Sequence, residues 1–297
     1  MNDFVGAALN LKAAKQMGTM KRMKYDPDAV DRHQHNQLEI LSALPPVRSA
    51  KLTPLLFVHG AYSAAWCWQE HFLQFFASAG FASYAVSLSG HGKSRGRKVL
   101  DHLSIDDYVR DVEEAAAGLR APPVLIGHSM GGFVVQKALE RRIAPAAVLM
   151  CAVPPQGLMA AGLGLMFSKP SLMSELNSLM RGGGASRGAL KSALFAQPVA
   201  DEDLERYYQM SQLESHRALW DMAMFNLPQT QRIKKTPLKI IGAGRDHLSA
   251  PSLVEMTARS YSSEAEIFAD MGHGLMLEKD WKKPAQSILD FLLSKDL

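Results

Sequence analysis

From residue 55 onward, short apolar runs alternate with longer helical patterns, and that rhythm leaves few folds open. LLFV (55–58) reads as a buried strand ending on HGA, and WCWQEHFLQFFASA (66–79) as a helix stopped by Gly80. ASYAVSL (82–88) is the next strand, followed by the loop SGHGKSRG. Ser104 and Asp107 are spaced as a capping box for a helix running to about Leu119. PVLI (123–126) is a strand, GGFVVQKALERR a helix, and AAVLMCAV (146–153) a further strand. Strands this apolar, joined by helices, imply a mostly parallel central sheet covered by helices on both faces.

The alternation then breaks. Residues 156–236 carry no strand pattern and seven methionines (Met159, Met166, Met173, Met180, Met210, Met222 and Met224), with the loop RGGGASRG between them. This stretch reads as short helices inserted between sheet strands, a lid whose adaptable methionines suit its own core and, for a minority, an apolar pocket. LKIIGAG (238–244) and EAEIFA (264–269) restore the strands, and 283–294 closes as a helix. The expected organisation is therefore an N-terminal arm with the first strands (1–50), core (51–155), helical lid (156–236) and core again (237–297).

Charge excludes one class of function. Residues 1–54 hold eight Lys or Arg against five acids, leaving 25 basic and 24 acidic residues for the rest. A near-neutral body has no basic stripe to track a phosphate backbone, so nucleic acid is not an expected partner. The arm FVGAALNLKAAKQMGTMKRMKY is mildly amphipathic and reads as a helix with a solvated basic face. Membrane association would rest on this arm alone. It lacks the apolar core and small-residue cleavage site of a secretory signal, and no run approaches the roughly 18 apolar residues of a spanning helix. The two cysteines, Cys67 and Cys151, are too few for a disulfide framework and point to a reducing, cytoplasmic setting. Neither they nor the HQH at 33–35, read as a polar loop, have the spacing of a metal site.

Chemistry concentrates at Gly127-His128-Ser129-Met130-Gly131. A strand precedes the serine and a helix follows, the context a G-x-S-x-G elbow requires. Bare flanking positions permit a tight bend that lifts the hydroxyl clear of the sheet. The bend also aims a helix N-terminus, with its free N–H groups, at the reacting oxygen.

With the blocks VHGAYSAAW, GHSMGG, GAGRDHLSAP and DMGHGLMLE in that order, residues 50–297 resemble the α/β-hydrolase superfamily, in its esterase-like branches. The resemblance implies Ser129 as nucleophile, Asp246 as acid after the strand LKIIGAG, and His273 as base after EIFA. His273 would take the serine proton, and Asp246 would hold the imidazole tautomer and stabilise the imidazolium. The backbone N–H groups of Ala61 and Met130 would form the oxyanion hole. No acid follows AAVLMCAV, the other position relatives use, which favours Asp246. His59, His91 and His128 read as structural, and His247 is set aside because it adjoins the acid in sequence. Trp66 and Trp68 read as packing residues, while Tyr62 could edge into the pocket. Lid arginines Arg181, Arg187, Arg206 and Arg217 read as solvated charge, although one could meet a substrate carboxylate.

The expected reaction is hydrolysis of a small-molecule carboxylic ester with a small to medium apolar acyl group, through an acyl-enzyme; no metal or organic cofactor is implied. The same residues in relatives support C–C bond hydrolysis, lyase chemistry, acyl transfer and perhydrolysis, and a ligand-binding receptor can keep the scaffold, because fold does not fix reaction. Acyl and alcohol specificity and oligomeric state stay open.

Overall fold

A computed structural model describes residues 30–35, 38–142, 144–159, 186–233 and 236–297. The arm reading, Arg181 and three of the lid methionines (Met166, Met173 and Met180) lie outside the described residues. Eight strands form one sheet: β1 (Val30–His35), β2 (Leu38–Ala43), β3 (Leu55–Val58), β4 (Ser83–Val86), β5 (Val124–His128), β6 (Ala147–Met150), β7 (Leu238–Ala243) and β8 (Ala265–Phe268). Their order is β1-β2-β4-β3-β5-β6-β7-β8. β2 runs antiparallel to both β1 and β4, and every other pair is parallel. His33 and His35 thus lie in a strand rather than in a loop.

Among the described residues the helices are α1 (Trp66–Gln69), α2 (Phe72–Ser78), α3 (Ile105–Ala117), α4 (Met130–Leu139), α5 (Arg187–Leu194), α6 (Asp201–Met210), α7 (His216–Trp220), α8 (Pro251–Ser260) and α9 (Lys282–Ser294). Because side chains alternate across a pleat, Leu56 and Val58 of β3 face the layer with α3, α4 and α8, whereas Leu55 and Phe57 face that with α1, α2 and α9. The single helix expected over 66–79 is two. His71 leaves the helical region (φ −143°, ψ −47°) and stacks its ring on Trp281, centroids 4.6 Å apart. The break lets Trp68 and Phe72 both reach the core, where each is fully buried. The capping box at the start of α3 is formed by Ser104 and Asp107 as expected.

Register fixes where the loops emerge. Val58 pairs with Gly127, His128 with Met150, Met150 with Ile241, and Ala243 with Phe268. Parallel strands in this register end together, so the loops after β3, β5, β6, β7 and β8 open on one edge of the sheet.

Between β6 and β7 the described part of the insertion is helical, and a buried ion pair docks it. His91, in the loop after β4, sits 3.1 Å from Glu214, both without solvent exposure. Tyr108 donates to the same carboxylate at 2.6 Å. His91 Nδ1 meets the Ser89 carbonyl at 3.1 Å, so both ring nitrogens face acceptors, as a doubly protonated ring requires. Burial opposes charge on each partner, but the opposite charge outweighs it: His91 is raised and Glu214 lowered from their ordinary values. The His91 contribution is complete below about pH 6.5 and fades as pH rises through its raised value. That of Glu214 is complete above about pH 4.5 and fades as pH falls through its lowered value. Stability from this pair therefore peaks between the two. Glu214→Gln is expected to cost about 3–5 kcal/mol by urea unfolding near pH 6, and to abolish the loss of stability that His91 causes at higher pH. A cost near zero would show that the pair does not hold the insertion.

Candidate active site

Ser129 closes β5 and precedes the first turn of α4, with φ 53° and ψ −118°, a conformation L-residues rarely adopt. Surrounding contacts enforce it. The Ser129 N–H donates to the Met150 carbonyl at 3.0 Å, and its own carbonyl accepts from Phe133 and Val153. The bend also needs room: a Cβ on Gly131 would intrude on the carbonyl oxygens of Val58 and His59. Gly131→Ala is expected to lower stability by about 1–3 kcal/mol and to push the elbow off the end of β3. Unfolding midpoints and activity would read both effects, and an unaffected variant would refute the packing argument.

The loop after β3 lies against the elbow, since a Cβ on Gly60 would sit 3.1 Å from Ser129 Cβ. His59 braces that loop: its Nδ1 donates to the Gly60 carbonyl at 2.8 Å and its Nε2 accepts from Leu88 N–H at 3.0 Å. Burial, with His91 beside it, lowers its pKa to about 3, so it is neutral. Ala61 follows in this loop, and Met130 opens α4 directly after Ser129.

Across the sheet edge, His273 Nδ1 and Asp246 Oδ2 are 2.7 Å apart, both groups buried. Asp246 Oδ1 accepts from the Leu248 and Ser249 N–H groups at 2.7 and 2.8 Å. Burial pushes this carboxyl up, but the adjacent His273 and the hydrogen bonds from His273, Ser249 and Leu248 together bring it below its ordinary value. The neighbouring His247 is exposed.

Two residues do more here than their sequence context suggests. His128 Nε2 lies 2.8 Å from the His273 carbonyl, which can only accept, so Nε2 carries the proton. Burial, and then the neighbouring His273, lowers His128 to about 3. Cys151 follows β6 with φ 44°, fully buried, its thiol beside Asp246 and pushed well above the usual range by burial. Cys151, Asp246 and His273 offer ligand atoms within 4.8 Å of one another. Asp246 and His273 spend their facing atoms on each other, however, so a metal would have to break that bond.

Trp68 is a core residue, whereas Trp66 stacks on Tyr207 of α6 at 5.5 Å. Arg187 pairs with Glu205, Arg206 with Glu70 and Asp203, and Arg217 with Asp221. These three arginines of the insertion therefore already have acidic partners. Among the described residues no helix is long and apolar enough to cross a membrane.

Comparison with known proteins supplies the family. The chain is 30% identical over 118 residues to esterase PIR7B of Oryza sativa subsp. japonica (37% of this chain, 43% of that protein). It is 35% identical over 88 residues to methyl jasmonate esterase 1 of Vitis vinifera (29% and 33%). It thus spans less than half the length of these relatives. Its fold is like that of an esterase from Exiguobacterium antarcticum (TM-score 0.64, 15% identity, 89% of this chain and 99% of that one). It is also like that of a bromoperoxidase from Bacillus anthracis (TM-score 0.67, 18% identity, 89% and 99%). The family model described as alpha/beta hydrolase family matches residues 55–285, most of the chain, and the protein belongs to that family.

Proposed function

We propose that the protein is a serine hydrolase that cleaves carboxylic esters of small to medium apolar acyl groups through an acyl-enzyme. The buried 2.7 Å pair of His273 and Asp246, on the sheet edge where the strained Ser129 elbow emerges, carries this reading. Relatives named as esterases agree with it. Ser129 Oγ attacks the ester carbonyl while His273 Nε2 takes its proton, and Asp246 holds Nδ1–H and stabilises the imidazolium. The N–H groups of Ala61 and Met130 donate to the carbonyl oxygen as it becomes an oxyanion. Collapse of the intermediate breaks the ester C–O bond, and the imidazolium gives its proton to the departing alcohol. Water, deprotonated by the same histidine, then attacks the acyl carbon and frees Ser129.

The described residues 186–233 of the inserted segment contribute in this reading to the roof of the acyl pocket. Acid partners on Arg187, Arg206 and Arg217 favour an uncharged acyl group over one needing a cationic anchor. Release of chromogenic alcohol from esters of rising acyl length tests the reading, with fluorophosphonate labelling beside it. Multiple turnovers with an optimum at short or medium acyl chains are expected. Labelling without turnover would retain the nucleophile and overturn the substrate class. Neither signal would point to a non-catalytic member of the family.

A further inference from the structure

Glu278 is 1% exposed, and three backbone N–H groups converge on its carboxylate. Gly272, just before His273, donates to Oε1 at 2.7 Å. Ala196, beyond the end of α5, donates to the same oxygen at 2.8 Å, and Gln197 donates to Oε2 at 3.1 Å. The carboxylate thus joins two segments: the loop that carries His273 and the inserted segment between β6 and β7. More bonds follow the same seam. Gly274 N–H donates to the Leu194 carbonyl at 2.8 Å. Gln197 and Asp280 exchange a pair of bonds, Asp280 N–H to Gln197 Oε1 at 2.9 Å and Gln197 Nε2 to Asp280 Oδ2 at 3.2 Å.

We propose that Glu278 is a positioning residue for His273, clamping the loop of the base to residues 194–197 so that the insertion helps to place the base. This rests on the reading of His273 as the general base. The chemistry of the site favours a carboxylate. Three donors need acceptors, and an ionised carboxylate offers only acceptors, whereas an amide would turn its NH2 toward one of the donors. Burying a carboxylate is costly unless it is hydrogen-bonded, so a connection that needed only adhesion would be made more cheaply by apolar contact. The clamp holds the backbone on the N-terminal side of His273, while His128 holds its carbonyl and Asp246 its ring. With all three in place, the imidazole has little freedom to drift from the elbow.

The test compares the wild type with Glu278→Gln and Gln197→Ala, with Ser129→Ala as the blank. Active sites are counted by fluorophosphonate labelling, so that kcat is expressed per live site. Glu278→Gln is expected to lower kcat per site, and the labelling rate constant with it, about 10- to 100-fold at unchanged KM, since a misplacement near 1 Å costs this much. Gln197→Ala, which leaves Glu278 intact but loosens the insertion on the same loop, should show a smaller fall of the same kind. It carries the test should Glu278→Gln not fold. A variant with fewer live sites but wild-type kcat per site would show Glu278 to be structural only and overturn the proposal. A wild type that neither labels nor turns over would overturn the hydrolase reading, and this inference with it.

Discussion

Ser129→Ala is expected to abolish turnover of any ester the wild type cleaves, lowering kcat by at least about 10⁴-fold. Nucleophilic catalysis splits the reaction through an acyl-enzyme, and alanine has no oxygen to form it. What survives is binding and any oxyanion stabilisation, which leaves a small rate above that of water. The variant should fold normally, because the features that create the elbow lie elsewhere. The Ser129 N–H keeps its bond to Met150, Gly131 keeps its close approach to β3, and the Cβ that is strained at φ 53° is unchanged. Strain of this kind is worth of order 1–3 kcal/mol, and alanine inherits it, so the melting temperature should barely move. Activity within tenfold of the wild type, measured per folded molecule, would remove Ser129 from the reaction. Loss of activity together with loss of folding would leave the chemistry to be read from fluorophosphonate labelling of the wild type.

The elbow was legible because its signature is local, although Met150, Val153 and the end of β3 hold it in place. Strand, glycines, serine and helix follow one another within a few residues, and each is dictated by sterics that a short stretch displays. The sheet was legible for a related reason: strands buried on both faces, such as LLFV and PVLI, are apolar throughout. Register then aligns the ends of these strands, which is why loops far apart in the chain share one edge. What stayed hidden depends on partners brought close only by folding. Nothing near Glu214 announces His91, and nothing near Glu278 announces Ala196 and Gln197. A buried acid in an irregular segment looks, in sequence, like any solvated one. Cys151 has no disulfide or metal spacing in the sequence, yet its place after β6 sets its thiol beside Asp246. The break at His71 was missed because the apolar period continues across it, and the cause, stacking on Trp281, comes from the far end of the chain.

Asp246→Asn is expected to lower kcat by about 10⁴-fold, nearly as much as removing the nucleophile, although the side chain keeps its shape. The reason lies in which nitrogen of His273 holds the proton. With a carboxylate at 2.7 Å, Nδ1 must be the donor, so Nε2 is left with its lone pair free to accept the serine proton. In the variant, one amide atom must stay on the Leu248 and Ser249 N–H groups, and the oxygen fits there because both are donors. The amide NH2 then faces His273 and favours an Nδ1 lone pair, which moves the imidazole proton to Nε2. A ring protonated at Nε2 cannot accept from Ser129. Cys151 cannot substitute, since burial keeps its thiol neutral far above the usual range. The stability signature has a definite sign. The folded-state pKa of Asp246 is lowered, so its contribution is present above about pH 3.8 and lost as pH falls through the lower folded value. Unfolding measured at neutral pH and again in acid should therefore show Asp246→Asn less stable than the wild type at neutral pH, with the gap closing in acid. Turnover at pH 7 decides the catalytic half, and a variant within tenfold of the wild type would mean that some other group sets the tautomer of His273.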